Sequence, residues 1–195
     1  PRVADDVARL RAVRQAVGDG FEIMVDANQC FTLSEALRRA SAYADLGIAW
    51  FEEPLPADDL AGHAHLAAST PVPIAVGESL YSPSQFAAYI QRGACSIVQV
   101  DVARIGGITP WLKVAHLAEC HNLAVAPHFL MELHVSLTAA SPTARWVEYI
   151  PQLEALAEKH TASADPDKAR AAKALKDEID EVLGSDDHKW YTGKM

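Results

Sequence analysis

The chain has 195 residues, 50% of them hydrophobic and 22% charged, with a formal net charge of −9 at pH 7. That composition describes a folded globular protein with enough residues for one domain and a sizeable core. It disfavours a general nucleic-acid binder, which needs a basic face. No apolar run approaches the roughly 18–20 residues that span a bilayer, and no signal-peptide pattern opens the chain. Cys30, Cys95 and Cys120 are odd in number and scattered. That usage fits a reducing, cytoplasmic setting and neither a disulfide framework nor a zinc cluster. The first residue is Pro1, so the chain reads as processed at its start or as part of a longer protein.

Helical patterns near 3–17, 33–46, 58–69, 83–92, 109–121 and 131–140 alternate with short β-rich runs. The runs are 21–26 (FEIMVD), 48–53 (IAWFEE), 73–78 (PIAVGE), 96–101 (SIVQVD), 123–128 (LAVAPH) and 145–148 (RWVE). Helix starts are signalled by Thr32 or Ser34, by Ser82-Pro83 and by Thr109-Pro110. Nearly continuous apolar runs between helices predict a parallel sheet covered on both faces. Polar residues close the runs at 26, 52, 78, 101, 128 and 148, so each interval holds one strand and one helix.

Functional groups at the C-terminal ends of successive strands share a centre only if the sheet curls toward a (β/α)₈ barrel. A doubly wound sheet would gather its ligand groups at one switch point, and the chain carries no Gly-rich phosphate loop. The expected fold is therefore α/β, a TIM-type barrel. With about six βα units against a typical length of about 250 residues, it is incomplete at its N-terminal side. Residues 1–151 are expected to form this partial barrel. Residues 152–195 form a polar, charged tail with no β-rich run. In the tail, Asp165-Pro166 opens a helix ending near Leu183-Gly184, with Ala169, Ala172, Leu175, Ile179 and Val182 as its apolar stripe.

Asp26, Glu52 and Glu78 end three successive runs and would sit side by side on the rim. Three neighbouring carboxylates repel one another strongly unless something neutralises them. Any one of them alone reads as a cap for the helix that follows. Together they call for an oxygen-seeking dication, and Mg²⁺ suits carboxylates plus substrate oxygens. Asp101 and His128 end the next two runs, where a carboxylate would fix the imidazole's tautomer and raise its basicity. The remaining histidines, at 63, 65, 116, 121, 134, 160 and 188, fall on helices or in the tail and read as surface or packing residues. Glu148 ends the last run, either as a hydrogen-bond donor with a raised pKa or as a partner for Arg145.

These motifs, VDAN (25–28), WFEEPL (50–55), VGES (76–79), QVDVARIGGIT (99–109), APHF (126–129) and WVEY (146–149), resemble the barrel domain of the enolase superfamily, in its mandelate racemase subgroup. The resemblance covers residues 1 to about 151. It implies Asp26, Glu52 and Glu78 as Mg²⁺ ligands, and Asp101 and His128 as a His–Asp dyad. It further implies Glu148 as the acid that hydrogen-bonds the developing enolate. Asn28 would lie near metal and substrate, and Glu53 would support the site without being a ligand. The implied reaction is removal of the proton α to a carboxylate, with Mg²⁺ helping to hold the ene-diolate. The GGIT and APHF segments favour dehydration of a sugar acid, an aldonate or aldarate, to a 2-keto-3-deoxy acid. The alternatives are a racemase or epimerase of a 2-hydroxy acid, and a non-catalytic barrel fragment that binds only metal or a partner chain. A small carboxylate partner and a homo-oligomer are expected, with neither nucleic acid nor membrane. The family's Lys-x-Lys pair has no counterpart in these 195 residues, since no Lys precedes Lys113, and its N-terminal capping domain is expected to lie outside them.

Overall fold

The computed structural model describes residues 2–150 together with 166, 173 and 189–191. The chain opens with helix α1 (Val3–Val17) and then alternates strand and helix. In order these are β1 (Ile23–Asp26), α2 (Leu33–Ala44), β2 (Ile48–Glu52), α3 (Leu60–Ser69), β3 (Ile74–Val76), α4 (Pro83–Gln91) and β4 (Ile97–Val98). They continue with α5 (Ile108–Cys120), β5 (Ala124–Val125), α6 (Met131–Ala139) and β6 (Trp146–Glu148).

Strands β1 to β5 form one sheet in sequence order, every neighbouring pair parallel. Right-handed crossovers in a sheet that never reverses its order put all the helices on one face. A doubly wound sheet, with its switch point, is thereby excluded, and the architecture is an incomplete α/β barrel. Its two faces carry separate apolar clusters. The helix-facing side holds Phe51, Ile74, Val76, Val98 and Val125 against Tyr43, Leu66, Phe86 and Trp111. On the inner face, Trp50, Ala75, Ile97 and Ala126 gather with Met24, Ala49, Ala124 and Trp146. Strand side chains alternate between faces, so the parity that turns Met24 and Trp50 inward also turns Asp26 and Glu52 inward.

Between β3 and β4 the backbones approach so closely that a Cβ at Gly77 would lie 2.6 Å from the Gln99 carbonyl. Only glycine fits there, and Gly77 sits at φ 152°, next to Glu78.

Strand β6 departs from the six-strand expectation. The chain just before it meets β5 through one parallel bridge, Val125 to Ala144, while β6 itself pairs with a seventh strand, β7 (Lys189–Tyr191). The tail, read as lacking any strand, therefore supplies one. The segment is three residues, two of them β-forming aromatics, amid polar sequence, too short for a periodic signal, and only a partner distant in sequence reveals it. The helix expected from Asp165-Pro166 to Leu183 lies outside the described residues, its apolar stripe included, apart from Pro166 and Lys173, both helical.

Local chemistry explains most helix starts. Thr32 is the N-cap of α2 and forms a reciprocal box with Glu35, and Ser82 does the same with Gln85 ahead of Pro83. Helix α5 starts earlier than the Thr109-Pro110 signal suggests. Gly106 and Gly107, at φ 93° and 115°, turn the chain into the helix at Ile108, leaving Pro110 in the first turn where its missing N–H costs little. Because Thr32 caps and Ser34 only accepts a bond from exposed Arg38, the two substitutions should differ. Thr32→Ala is expected to cost about 1 kcal/mol in urea denaturation, against less than about 0.5 for Ser34→Ala.

Candidate active site

Asp26 and Glu52 are the last residues of β1 and β2 and are register partners across the ladder. Glu78 follows β3 by two residues. One carboxylate oxygen from each converges with the others, all within 4.8 Å. Glu52 and Glu78 are each only 5% exposed. Burial, and then the nearby Asp26 charge, pushes the Glu52 carboxyl up to about 8, against bonds from Gln99 and Trp50 that favour its anion. The Trp50 indole N–H donates to Glu52 Oε2 at 3.2 Å. Asp26 is held by Asn28, whose backbone and side-chain amides donate to its two oxygens at 2.8 and 2.7 Å. Three oxygens on adjacent strand ends, mutually repelling and partly desolvated, are a donor set suited to a hard dication. Glu53 is buried close by but stands outside the triad. A cleft of about 390 Å³ between α1 and the loop after β1 reaches Asp26 and Asn28.

Beside this triad lies the second pair. His128 Nδ1 is 2.9 Å from Asp101 Oδ2, and both residues are buried. Asp101 Oδ1 accepts the Ala103 and Arg104 amides at 2.7 and 3.0 Å. Burial alone would raise the Asp101 carboxyl, but the His128 bond and those two amides outweigh it and hold the pKa below the usual value. An anionic Asp101 keeps the proton on Nδ1 and leaves Nε2 as the basic atom. That Nε2 lies 3.3 Å from Glu78 Oε2, so the imidazole links the dyad to the carboxylate triad. Glu148 joins from β6, its Oε2 accepting the Phe129 N–H at 2.7 Å. All six charged site residues picked out in the sequence thus gather at the C-terminal ends of the strands.

Two further residues brace the site. Arg104 donates to the Glu78 carbonyl at 2.6 Å and stands 3.7 Å from both Glu78 Oε1 and Asp101 Oδ2. Its place three residues after Asp101 was the available sequence signal. His134, fully buried on α6, accepts the Val102 N–H at Nε2 (3.1 Å) and donates from Nδ1 to the Phe129 carbonyl (2.6 Å). Burial lowers its pKa to about 4, which keeps it neutral and able to serve both partners. It therefore ties the residue after Asp101 to the residue after His128. A histidine on an apolar helix gives no hint of such a role in sequence.

The backbone around the site is unusual as well. Asn28, Gln29, Glu53, Phe129 and Leu130 all have positive φ, between 33° and 62°. Left-handed non-glycine residues are costly and cluster where function demands a set geometry. Here they follow Asp26, Glu52 and His128.

The enolase C-terminal domain-like family matches residues 1–178. The chain is 45% identical over 156 residues to the L-talarate/galactarate dehydratase of Salmonella typhimurium, covering 80% of this chain and 39% of that protein. It is 37% identical over 148 residues to the 3,6-anhydro-alpha-L-galactonate cycloisomerase of Streptomyces coelicolor, covering 76% and 41%. Among solved structures it is similar to the L-talarate dehydratase of Polaromonas sp. JS666, complexed with Mg and L-glucarate. There the TM-score is 0.76 at 46% identity, over 79% of this chain and 43% of that one. The chain spans about two fifths of the length of the curated relatives it matches. With its sheet order, its strand-end carboxylates and its His–Asp pair accounted for, the chain belongs to the enolase C-terminal domain-like family.

Proposed function

We propose that this chain carries the metal and acid–base site of an Mg²⁺-dependent sugar-acid dehydratase, acting on an aldonate or aldarate. The observation that carries the reading is the convergence of the Asp26, Glu52 and Glu78 oxygens within 4.8 Å, directly beside the His128–Asp101 pair. Relatives that are dehydratases of talarate/galactarate, arabinonate and galactonate support the substrate class. Residues 1–151 would form the site-bearing part, with 152–195 as a tail that returns to it through β7. No helix among the described residues is long and apolar enough to cross a membrane. The free thiols of Cys30, Cys95 and Cys120 support a cytoplasmic setting.

Asp26, Glu52 and Glu78 would hold the cation. When bound, Mg²⁺ supplies positive charge where the substrate carboxylate gains negative charge as its α-proton leaves. His128 takes that proton at Nε2 while Asp101 stabilises the resulting imidazolium through Nδ1. Glu148, its Oε2 placed by the Phe129 amide, would in its protonated form donate to the second carboxylate oxygen. His128 then returns its proton to the departing β-hydroxyl, which leaves as water. The remaining enol tautomerises to the 2-keto-3-deoxy acid.

The direct test is to incubate the chain with Mg²⁺ and a panel of aldonic and aldaric acids, assaying 2-keto acid and epimerised substrate separately. A 2-keto product supports the proposal, and epimerisation without any 2-keto acid overturns it. Metal binding has its own readout. Mg²⁺ should raise the melting temperature by favouring the folded state. Asp26→Asn is expected to abolish that rise and His128→Asn to retain it, in thermal scans with and without Mg²⁺. An equal rise in both variants would count against the ligand assignment.

A further inference from the structure

Gln29 stands at φ 62° in the turn after β1, three residues beyond Asp26. Its side-chain amide nitrogen lies 3.2 Å from Glu53 Oε2 and 2.8 Å from Ser79 Oγ. The side-chain oxygen accepts the Ala57 N–H at 2.8 Å, and the Gln29 backbone N–H donates to the Glu53 carbonyl at 2.7 Å. Glu53 directly follows Glu52, and Ser79 directly follows Glu78. One half-buried side chain therefore reaches all three loops that carry the converging carboxylates. Glu53 itself is 3% exposed and has positive φ. Burial and the Glu78 charge raise its pKa, and the Ser79 and Gln29 bonds work against that rise.

We infer that Gln29 is a positioning residue for the metal site, a staple that sets the spacing of the Asp26, Glu52 and Glu78 loops through Glu53, Ser79 and Ala57. The inference rests on reading those three acids as metal ligands. Acids crowded this closely are pushed apart as they ionise, so before the cation arrives each contact that ties their loops together helps keep them converged. A staple pre-pays that ordering, so its strength appears in metal affinity. Groups that orient ligands without touching the metal typically contribute 10- to 100-fold in affinity. The donor–acceptor pattern is also specific. Gln29 must both donate to a carboxylate and accept from an amide, which neither Ala nor Glu can do at this position.

The test is isothermal titration of the metal-free 195-residue chain with Mg²⁺, well below each variant's melting temperature. Gln29→Ala is expected to weaken binding 10- to 100-fold. Gln29→Glu should be at least as damaging, because it sets a second carboxylate against Glu53. Adding Glu53→Gln to Gln29→Glu exchanges donor and acceptor across the same contact. In the swapped pair the new amide at 53 donates to the new carboxylate at 29, which still accepts from Ala57 and now accepts from the Ser79 hydroxyl, reversing the direction of that bond. The double variant should recover most of the lost affinity. A residue that merely supported the fold would lower the melting temperature without this pattern of loss and rescue. Unchanged affinity in Gln29→Ala, or a double variant no better than Gln29→Glu, overturns the inference while leaving the ligand assignment in place. Should Gln29→Ala fail to fold, Ser79→Ala leaves Gln29 in place, removes only the Ser79 hydroxyl's bonds with Gln29 and Glu53, and is expected to weaken binding several-fold, and unchanged affinity there overturns the inference equally. A wild-type chain that takes up no Mg²⁺ overturns the ligand assignment itself, and the inference with it.

Discussion

Replacing His128 with Asn is expected to slow exchange of the substrate α-proton with solvent deuterium by about 10²–10⁴-fold, the usual cost of losing a general base. The geometry makes the reason specific. Nδ1 is committed to Asp101 at 2.9 Å, so Nε2 is the atom left to take a proton. Asp101→Asn keeps the ring in place but removes the charge that stabilises its protonated form, and a comparable loss should follow. The double variant should lose little more than either single one, because the two residues act as one unit. Proton NMR of the α-position in deuterated buffer, with an aldarate and Mg²⁺, reads the exchange, and a 2-keto acid assay reads dehydration. If exchange persists in His128→Asn while dehydration stops, another group is the base and His128 serves only as the acid. If both persist, the dyad is structural and the mechanism fails.

The residues that were legible in sequence share a physical property, since each closes an apolar run and so marks a strand end. That is why Asp26, Glu52, Glu78, Asp101, His128 and Glu148 could be placed on one rim before any coordinates. The sequential sheet order was legible for the same reason, since five similar intervals leave no room for a switch point. Strand length was less so. Runs of six residues at 96–101 and 123–128 shrink to the two-residue ladders of β4 and β5, because the residues that follow turn away to build the site. Their backbone bonds continue without a ladder, as where Ala126 N donates to the Val98 carbonyl at 3.0 Å.

What stayed hidden depends on partners far apart in the chain. Gln29 looks like an ordinary turn residue until Glu53 and Ser79 arrive beside it, 24 and 50 positions later. His134 resembles any packing histidine until its two ring nitrogens meet Val102 and Phe129. Strand β7 has the same character, being visible only through its pairing with β6. Periodicity reports on one element at a time, and these three features exist only between elements.

Without metal, Glu52 is expected to weaken the fold as pH rises, and Glu52→Gln to relieve that loss. Its pKa is raised from the ordinary 4.5 to about 8 in the folded chain, first by burial and then by Asp26. At pH below 4.5 the carboxyl is protonated in both folded and unfolded chains, and it contributes no pH-dependence. Between pH 4.5 and 8 the unfolded chain gives up the proton and the folded chain retains it, so the folded state binds more protons and stability falls as pH rises. The slope from this one group is at most about 1.4 kcal/mol per pH unit. Gln keeps the shape and a donor without a charge to desolvate. At pH 8, in the presence of a chelator, the variant should therefore be the more stable, by on the order of 3–5 kcal/mol. At pH 4 the two should nearly coincide. Excess Mg²⁺ at pH 8 should reverse the order, because the cation binds the deprotonated wild-type site and favours its folded state, while the Gln variant gains little. Urea denaturation across this pH range, with chelator and with Mg²⁺, reads both effects. Parallel pH profiles for the two chains without metal would show that Glu52 is not held in the desolvated, acid-crowded position described above.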